Sequence, residues 1–390
     1  MTGTRVGDGL ALGDQLDVVA ERAVAAALRP LDGVRPDLAC VFVSGGEPDQ
    51  VTAALERAAE QLDAHTVLGC TAHGVMAAGK GVEGVGGVSV WAAALPGVSL
   101  RGFHLEVIRT SDSVAVLGMP DRRDDDVVGL LLADPWSFPS DGFVDNSATA
   151  LGGLPLVGGL ASGATGAGQT RLLCDGKVFD RGAVGVVVGG RAEVHTLVSQ
   201  GCRPIGRPLT VTAATGSTVT QLGGQPALVR AQEAVASLPP DEHPLAVRGL
   251  QLGVAMDEYT DEHGPGDFLV RAIAAADQTT GALEVADTVP VGTTVQFLLR
   301  DADTAHDDLA EVLAAFRARV GLTGMAGALV FSCNGRGRSM FPSADHDVRA
   351  VRGGLGIESV AGFFAAGEFG PVGGRNHLHG FTATVLAFES

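Results

Sequence analysis

Three copies of one short glycine pattern constrain the fold of this 390-residue chain more than any other feature. Val67-Leu68-Gly69-Cys70-Thr71-Ala72-His73-Gly74 reads as two apolar residues followed by G-x-x-A-x-G. Leu156 to Gly163 and Val360 to Gly367 repeat it. In a chain with 56 glycines the octapeptide alone is a weak signal, and its context carries more. Each copy follows an apolar run, centred on Val41, Leu131 and Val330, and precedes a β-branched run near Val88, Val184 or Thr384. The expectation is one unit of strand, helix, glycine-bearing strand and further strand, used repeatedly.

Helical spacing adds to this. Asp14 is placed to cap a helix carrying Leu16, Val19, Ala23 and Ala27 on one face. Pro48 can open a second, with Val51, Leu55, Ala58 and Leu62 in register. Thr304 with Asp307 forms a capping-box-like start ahead of Leu309, Val312, Leu313, Phe316 and Val320. Residues 38–43, 88–91, 127–132, 184–188, 295–299 and 328–331 read as strands. The fold class that follows is α/β, or mixed α+β, in two domains. Mixed sheets are flanked by helices, with αββα layering as one arrangement.

Composition narrows the function. Hydrophobic residues at 46% and charged residues at 18% describe a packed globular chain. A net charge of −18 repels phosphate backbones and anionic lipid, so neither nucleic acid nor a membrane surface is an expected partner. Five cysteines without a C-x-x-C pair argue for a reducing compartment and against a disulfide framework or thiolate zinc site. Because a spanning helix needs about 20 apolar residues and none is present, the expected location is cytoplasmic.

Two tempting motifs fail on context. Gly74 to Lys80 fits most of a phosphate-binding P-loop, but Gly81 stands where Ser or Thr would hold magnesium. Gly79-Lys80-Gly81-Val82-Glu83-Gly84 matches the dinucleotide fingerprint but opens no helix. A hairpin loop is the expected structure for both.

Four polar segments interrupt the apolar, glycine-rich surroundings: Gly201 to Gly206, Cys333 to Gly337, Gly367 to Pro371 and Asn376 to Gly380. Loops at strand ends are where α/β folds place ligands. Arg203 and Arg336 offer planar forks for a carboxylate, and Glu368 could accept from an ammonium. Asn334, Asn376 and His379 could orient further polar groups, with Cys202 beside Arg203. The structural alternative is that Arg336 and Glu368 simply pair with each other. His377 and His379, two apart, could grip a metal from one face of a strand, but no third ligand is spaced nearby, so no metal is expected. Cys333 with His379 and Asn376 has the residue types of a thiol-dependent amidase or transferase. A haem or redox sensor using a His or Cys ligand is a further alternative, although no cofactor is the expectation.

These segments also carry a family resemblance. Ala39 to Ser44, Asp49 to Leu62, Leu68 to Gly74 and Gly86 to Val90 resemble the start of a FIST N-terminal domain. Gly201 to Gly206 and Val211 through Ala227 are similar to the junction between the two domains. Arg300-Asp301-Ala302, Cys333 to Gly337, Ala361 to Phe364, Gly367-Glu368 and His379 to Thr382 resemble the C-terminal domain. The resemblance implies an N-terminal helix region at 1–34, a FIST N-terminal domain at 35–222 and a FIST C-terminal domain at 223–390. FIST abbreviates F-box and intracellular signal transduction. The resemblance implies a sensory module for small ligands, amino acids or small carboxylates foremost, and it offers no catalytic residues. With the pattern running to Phe388, the expectation is a sensor without its own output domain, read by a separate signalling partner.

Overall fold

The computed structural model describes residues 3–111, 113–258, 266–321 and 324–390. The chain divides into two compact units. One comprises residues 1–199, 309–378 and 382–390, and the other residues 200–308 and 379–381.

The first unit is built from the sequence repeat, used three times. In each copy two parallel strands are joined by a helix. Leu38–Ser44 pairs with Thr66–Ala72 through Pro48–Leu62. Asp126–Ala133 pairs with Leu156–Leu160 through Ser140–Ala150. Met325–Cys333 pairs with Ser359–Ala365, and His346–Leu355 is the connecting helix. A return strand then lies antiparallel to the first strand of its own copy: Gly87–Ala94, Ala183–Gly190 and Thr382–Glu389.

The pattern glycine has the same task in all three. Gly69 faces Val41, Gly158 faces Leu131 and Gly362 faces Val330. At each, a Cβ would fall on the carbonyl oxygen of the residue it faces. Only glycine lets the parallel strands close up there.

Between the glycine strand and the return strand each repeat makes a hairpin, and that hairpin joins a different repeat. Gly74–Ala77 adds to Ser359–Ala365, Leu172–Cys174 adds to Thr66–Ala72, and Glu368–Val372 adds to Leu156–Leu160. The exchange is cyclic, so each sheet is completed by another repeat. The first hairpin turns at Ala78 and Gly79, both at positive φ, between Gly74–Ala77 and Lys80–Glu83. Those are the residues of the rejected phosphate and dinucleotide motifs, and the turn is of the type two-residue hairpins prefer.

The three sheets turn one face to a shared core in which Phe42, Phe331 and Phe363 meet. The outer faces carry helices. Leu16–Leu28 and Pro48–Leu62 cover the first sheet, and Ser140–Ala150 covers the second. Leu309, Leu313 and Phe316 of the helix Ala302–Val320, with His346–Leu355, cover the third. Helix, sheet, sheet, helix is therefore the layering across any two repeats.

Three local expectations are corrected. Asp14 caps nothing: the chain leaves its first strand through Gly13, whose N–H is held by Gly86, and Gln15 takes the cap position. Thr304 lies inside its helix, and Asp301 meets that helix's start by accepting from Asp303 N–H and Thr304 Oγ. The N-terminal region also holds a strand, Arg5–Leu12, paired with Gly87–Ala94. Its Gly7 and Gly9 let the helix Leu16–Leu28 approach so closely that a Cβ would strike Ala27 and Ala23 carbonyls.

The second unit is all antiparallel. Its strand order is Cys202–Thr215, Thr294–Arg300, Leu250–Ala255, Phe268–Ala276, Leu283–Val285, Thr218–Leu222, Gln225–Pro226. Cys202–Thr215 also pairs with Thr218–Leu222, so the sheet closes on itself around Val211, Leu252, Val295 and Phe297. Closure leaves few free edges.

Candidate functional site

The polar segment Cys333 to Gly337 stands at the carboxyl end of the third parallel pair. Asn334 N–H reaches the Ala365 carbonyl and Arg336 N–H the Cys333 carbonyl, both at 2.8 Å, which folds the turn back on its strand. Gly337 admits the Glu83 carboxylate of the first repeat's hairpin where a side chain would otherwise sit. That carboxylate accepts from Arg338 N–H at 2.8 Å.

Arg336 is completely buried, and its partner is Asp347 on the following helix. Nε donates to Oδ2 at 2.8 Å and Nη2 to Oδ1 at 2.9 Å. Asp347 also accepts from Ser332 Oγ and contacts His346 Nδ1 at 2.8 Å. Phe341 stacks on His346 and lies under the guanidinium. Burial pushes the Asp347 carboxyl up, but the charge and hydrogen bonds of Arg336 outweigh it and hold the group well below the ordinary carboxylate range. The alternative reading, an Arg336–Glu368 bridge, gives way to a bidentate pair with Asp347, with Glu368 close enough to feel the Arg336 charge. A bidentate fork takes the carboxylate its geometry fits, and the helix delivers that carboxylate eleven residues on.

Glu368 is left in a different state. It is fully buried, and only Oε2 is satisfied, by Thr382 Oγ at 2.7 Å and Thr382 N–H at 3.3 Å. Burial drives its pKa up to about 8, although Thr382, Arg336 and Cys333 all favour the anion. Cys333 leans towards the carboxyl, yet Oε1 receives no hydrogen bond of normal geometry among the described residues. The acid is mostly protonated at neutral pH and can donate as well as accept.

The structure gathers Cys333, Arg336 and Glu368, with Asn334 exposed beside them. Asn376 lies in the same unit on other duty. Its Oδ1 accepts from Leu156 N–H, and its Nδ2 donates to Ser147 Oγ and the Leu154 carbonyl, all within 3.0 Å. The amide needed for a Cys–His–Asn constellation is therefore committed to holding the second repeat. Cys202, Arg203 and His379 belong to the second unit. There Arg203 pairs with Glu242 and lies 3.7 Å from Asp301, and Cys202 packs near Phe268, Val270 and Leu298. Among the described residues no three His, Cys, Asp or Glu gather as a metal site, and no helix is long and apolar enough to cross a membrane.

Asp347, Ser332 and Thr382 escaped the sequence reading. For Asp347 a signal existed: Val348, Val351 and Leu355 fall at helical spacing before Gly356, which places Asp347 in a first turn.

Comparison with known proteins supports the family. The FIST N domain matches residues 37–225 and the FIST C domain residues 227–371. An uncharacterized protein of Mycobacterium tuberculosis (strain ATCC 25618 / H37Rv) is 43% identical over 385 residues, spanning 98% of this chain and 99% of that protein. One of Mycobacterium bovis (strain ATCC BAA-935 / AF2122/97) is 41% identical over 385 residues, spanning 98% of each. Among solved structures, a cyanuric acid hydrolase from A. caulinodans aligns over 99% of this chain and all of its own. The TM-score is 0.32 and the identity 10%, too slight a likeness to carry any argument. FIST domains are generally sensory domains of signal transduction, and this chain belongs to the FIST family.

Proposed function

We propose that this chain senses a small polar ligand, an amino acid or small carboxylate, at the carboxyl ends of the parallel strands of its first unit. A partner protein reads the liganded state. The observation that carries the reading is Glu368, a buried acid with one unpartnered oxygen, beside the exposed Asn334 turn. Folds seldom keep such a group without a use for it. Arg336 and Asp347 act as the rigid support beneath it, since their fork is already filled.

The test is a thermal-shift screen of the full chain against amino acids, small carboxylates and haem. An amino acid or carboxylate should raise the Tm, and Glu368→Gln should abolish or strongly reduce the rise. A response to haem alone, or an undiminished response in Glu368→Gln, would overturn the assignment.

A further inference from the structure

Glu368 is not alone. In the first unit three more buried side chains hold an oxygen that no described residue meets: Asp134 Oδ1, Thr170 Oγ1 and Thr384 Oγ1. None of the four side chains is more than 1% exposed. Leu132, Leu172 and Leu386 face the shared core, and Thr384 stands two residues from Leu386 on the same strand, which gives it the same face. Asp134 follows the end of the strand Asp126–Ala133, with its Oδ2 accepting from Ser137 Oγ, and Thr170 precedes the strand Leu172–Cys174 by two residues. The ladder holds as far as Asp134, whose N–H donates to the Gly182 carbonyl at 2.9 Å. Glu368 lies opposite Gly159, in register with inward-facing Leu132.

Register also fixes their depth. The last inward layer contains Ser44, Asp134 and Cys333 on the leading strands, opposite or beside Ala72, Ala161 and Ala365. Thr170 adjoins Arg171, whose carbonyl accepts from Thr71 N–H at 2.9 Å beside Ala72, while Glu368 and Thr384 belong to the layer just beneath. All three sheets contribute, and the three alanines keep the end of the core free of bulk. An unsatisfied buried oxygen is costly, and four of them around one end of the three strand pairs, by sequence and register, are what a site built to be filled would show.

We propose that this end of the core is a binding chamber shared by the three repeats, and that it takes a compact ligand bearing a primary ammonium group. The chemistry follows from the lining. Two carboxyl oxygens and two hydroxyl oxygens present acceptors, while the neighbouring cation, Arg336, is spent on Asp347. An ammonium can donate to any of the four oxygens, whereas a bare carboxylate can only accept, from the two hydroxyls and the Glu368 carboxyl, while facing the Asp134 carboxyl. Asp134, Thr170 and Thr384 thereby become ligand-contacting residues. This deepens the sensor reading and rests on it.

The experiment compares glycine, methylamine and acetate on the full chain, by thermal shift and calorimetry. Glycine and methylamine should bind and acetate should not, and Asp134→Asn should weaken glycine at least about tenfold. Thr384→Val separates a ligand contact from a structural role. Its ligand-free Tm should match or exceed wild type, because the lost hydroxyl had no partner, while its glycine response falls. Acetate binding without methylamine would overturn the ammonium assignment and leave the sensor intact. Glycine binding unchanged in Asp134→Asn and Thr384→Val would overturn the chamber. No response to any amino acid or carboxylate would overturn both.

Discussion

The first and third repeats share a backbone plan and differ in what they do with its carboxyl end. In the first, the leading strand ends at Ser44, whose hydroxyl donates to the Val85 and Gly87 carbonyls. Glu47 and Gln50 then close a reciprocal capping box on the helix that follows. Every polar group named there has a local partner. In the third, the equivalent end carries Cys333, a fully buried arginine, a buried aspartate and a half-satisfied glutamic acid. Repetition therefore supplied the scaffold, and divergence at a few strand-end positions supplied the chemistry. Buried charge is poorly justified as a source of stability, so its presence at this end of the third repeat and not at the equivalent end of the first points to function.

The largest effect should fall on what the repeats have in common. Gly362→Ala places a methyl on the Val330 carbonyl oxygen, and Gly69→Ala does the same at Val41 with slightly more room. Denaturant unfolding should show losses of about 4 kcal/mol or more for Gly362→Ala and less for Gly69→Ala. Equal tolerance of both would mean the glycine lock is not what the repeats share.

Next comes the third repeat's fully buried charge pair. Arg336→Met leaves Asp347 buried and unpaired, and should cost about 3–5 kcal/mol in the same assay. Arg336→Met combined with Asp347→Leu should recover much of that loss, since the desolvation of both charges disappears. Failure to recover would show that the pair is needed for packing rather than charge balance.

The smallest effect near neutrality, and the most diagnostic, is a pH slope. The Glu368 pKa lies above its unfolded value, so the native state holds a proton the unfolded state has lost between about 4.5 and about 8. Wild-type stability should fall as pH rises through that window. Glu368→Gln cannot titrate there, so its Tm should gain on wild type from about pH 5 to about pH 8 and then run parallel. Curves parallel throughout would remove the buried acid from the account. Asp347 acts oppositely: its contribution is present above the ordinary carboxylate range and fades as pH falls towards its depressed pKa.

Much of the scaffold was legible in the sequence. Val41, Leu131 and Val330 centre the leading strands, and Gly69, Gly158 and Gly362 lie on strands that follow them, as the repeat implied; the register that sets each glycine opposite a strand centre came from the structure. The helix opened by Pro48 and the stripe from Leu309 to Val320 also follow local periodicity. Less of the site could be read. Arg336 and Glu368 were visible as polar interruptions, but Arg336's choice of Asp347 depended on a helix packing beneath it. Asn376 was likewise visible as a polar interruption, but its hydrogen bonds to Leu154 and Leu156 depended on the packing of the second repeat.

The sequence by itself determined the repeating unit, the family and the positions where polar groups break an apolar background. Those features rest on neighbours within a few residues, where spacing and side-chain type suffice. Only tertiary structure decided that each hairpin completes another repeat's sheet, and that Asp134, Thr170, Glu368 and Thr384 each bury an oxygen no described residue meets. Strand pairing between repeats joins residues up to about 290 positions apart, as in Val75 with Phe363, and no local pattern encodes it. Whether a buried oxygen finds a partner is settled by packing, after the chain has closed.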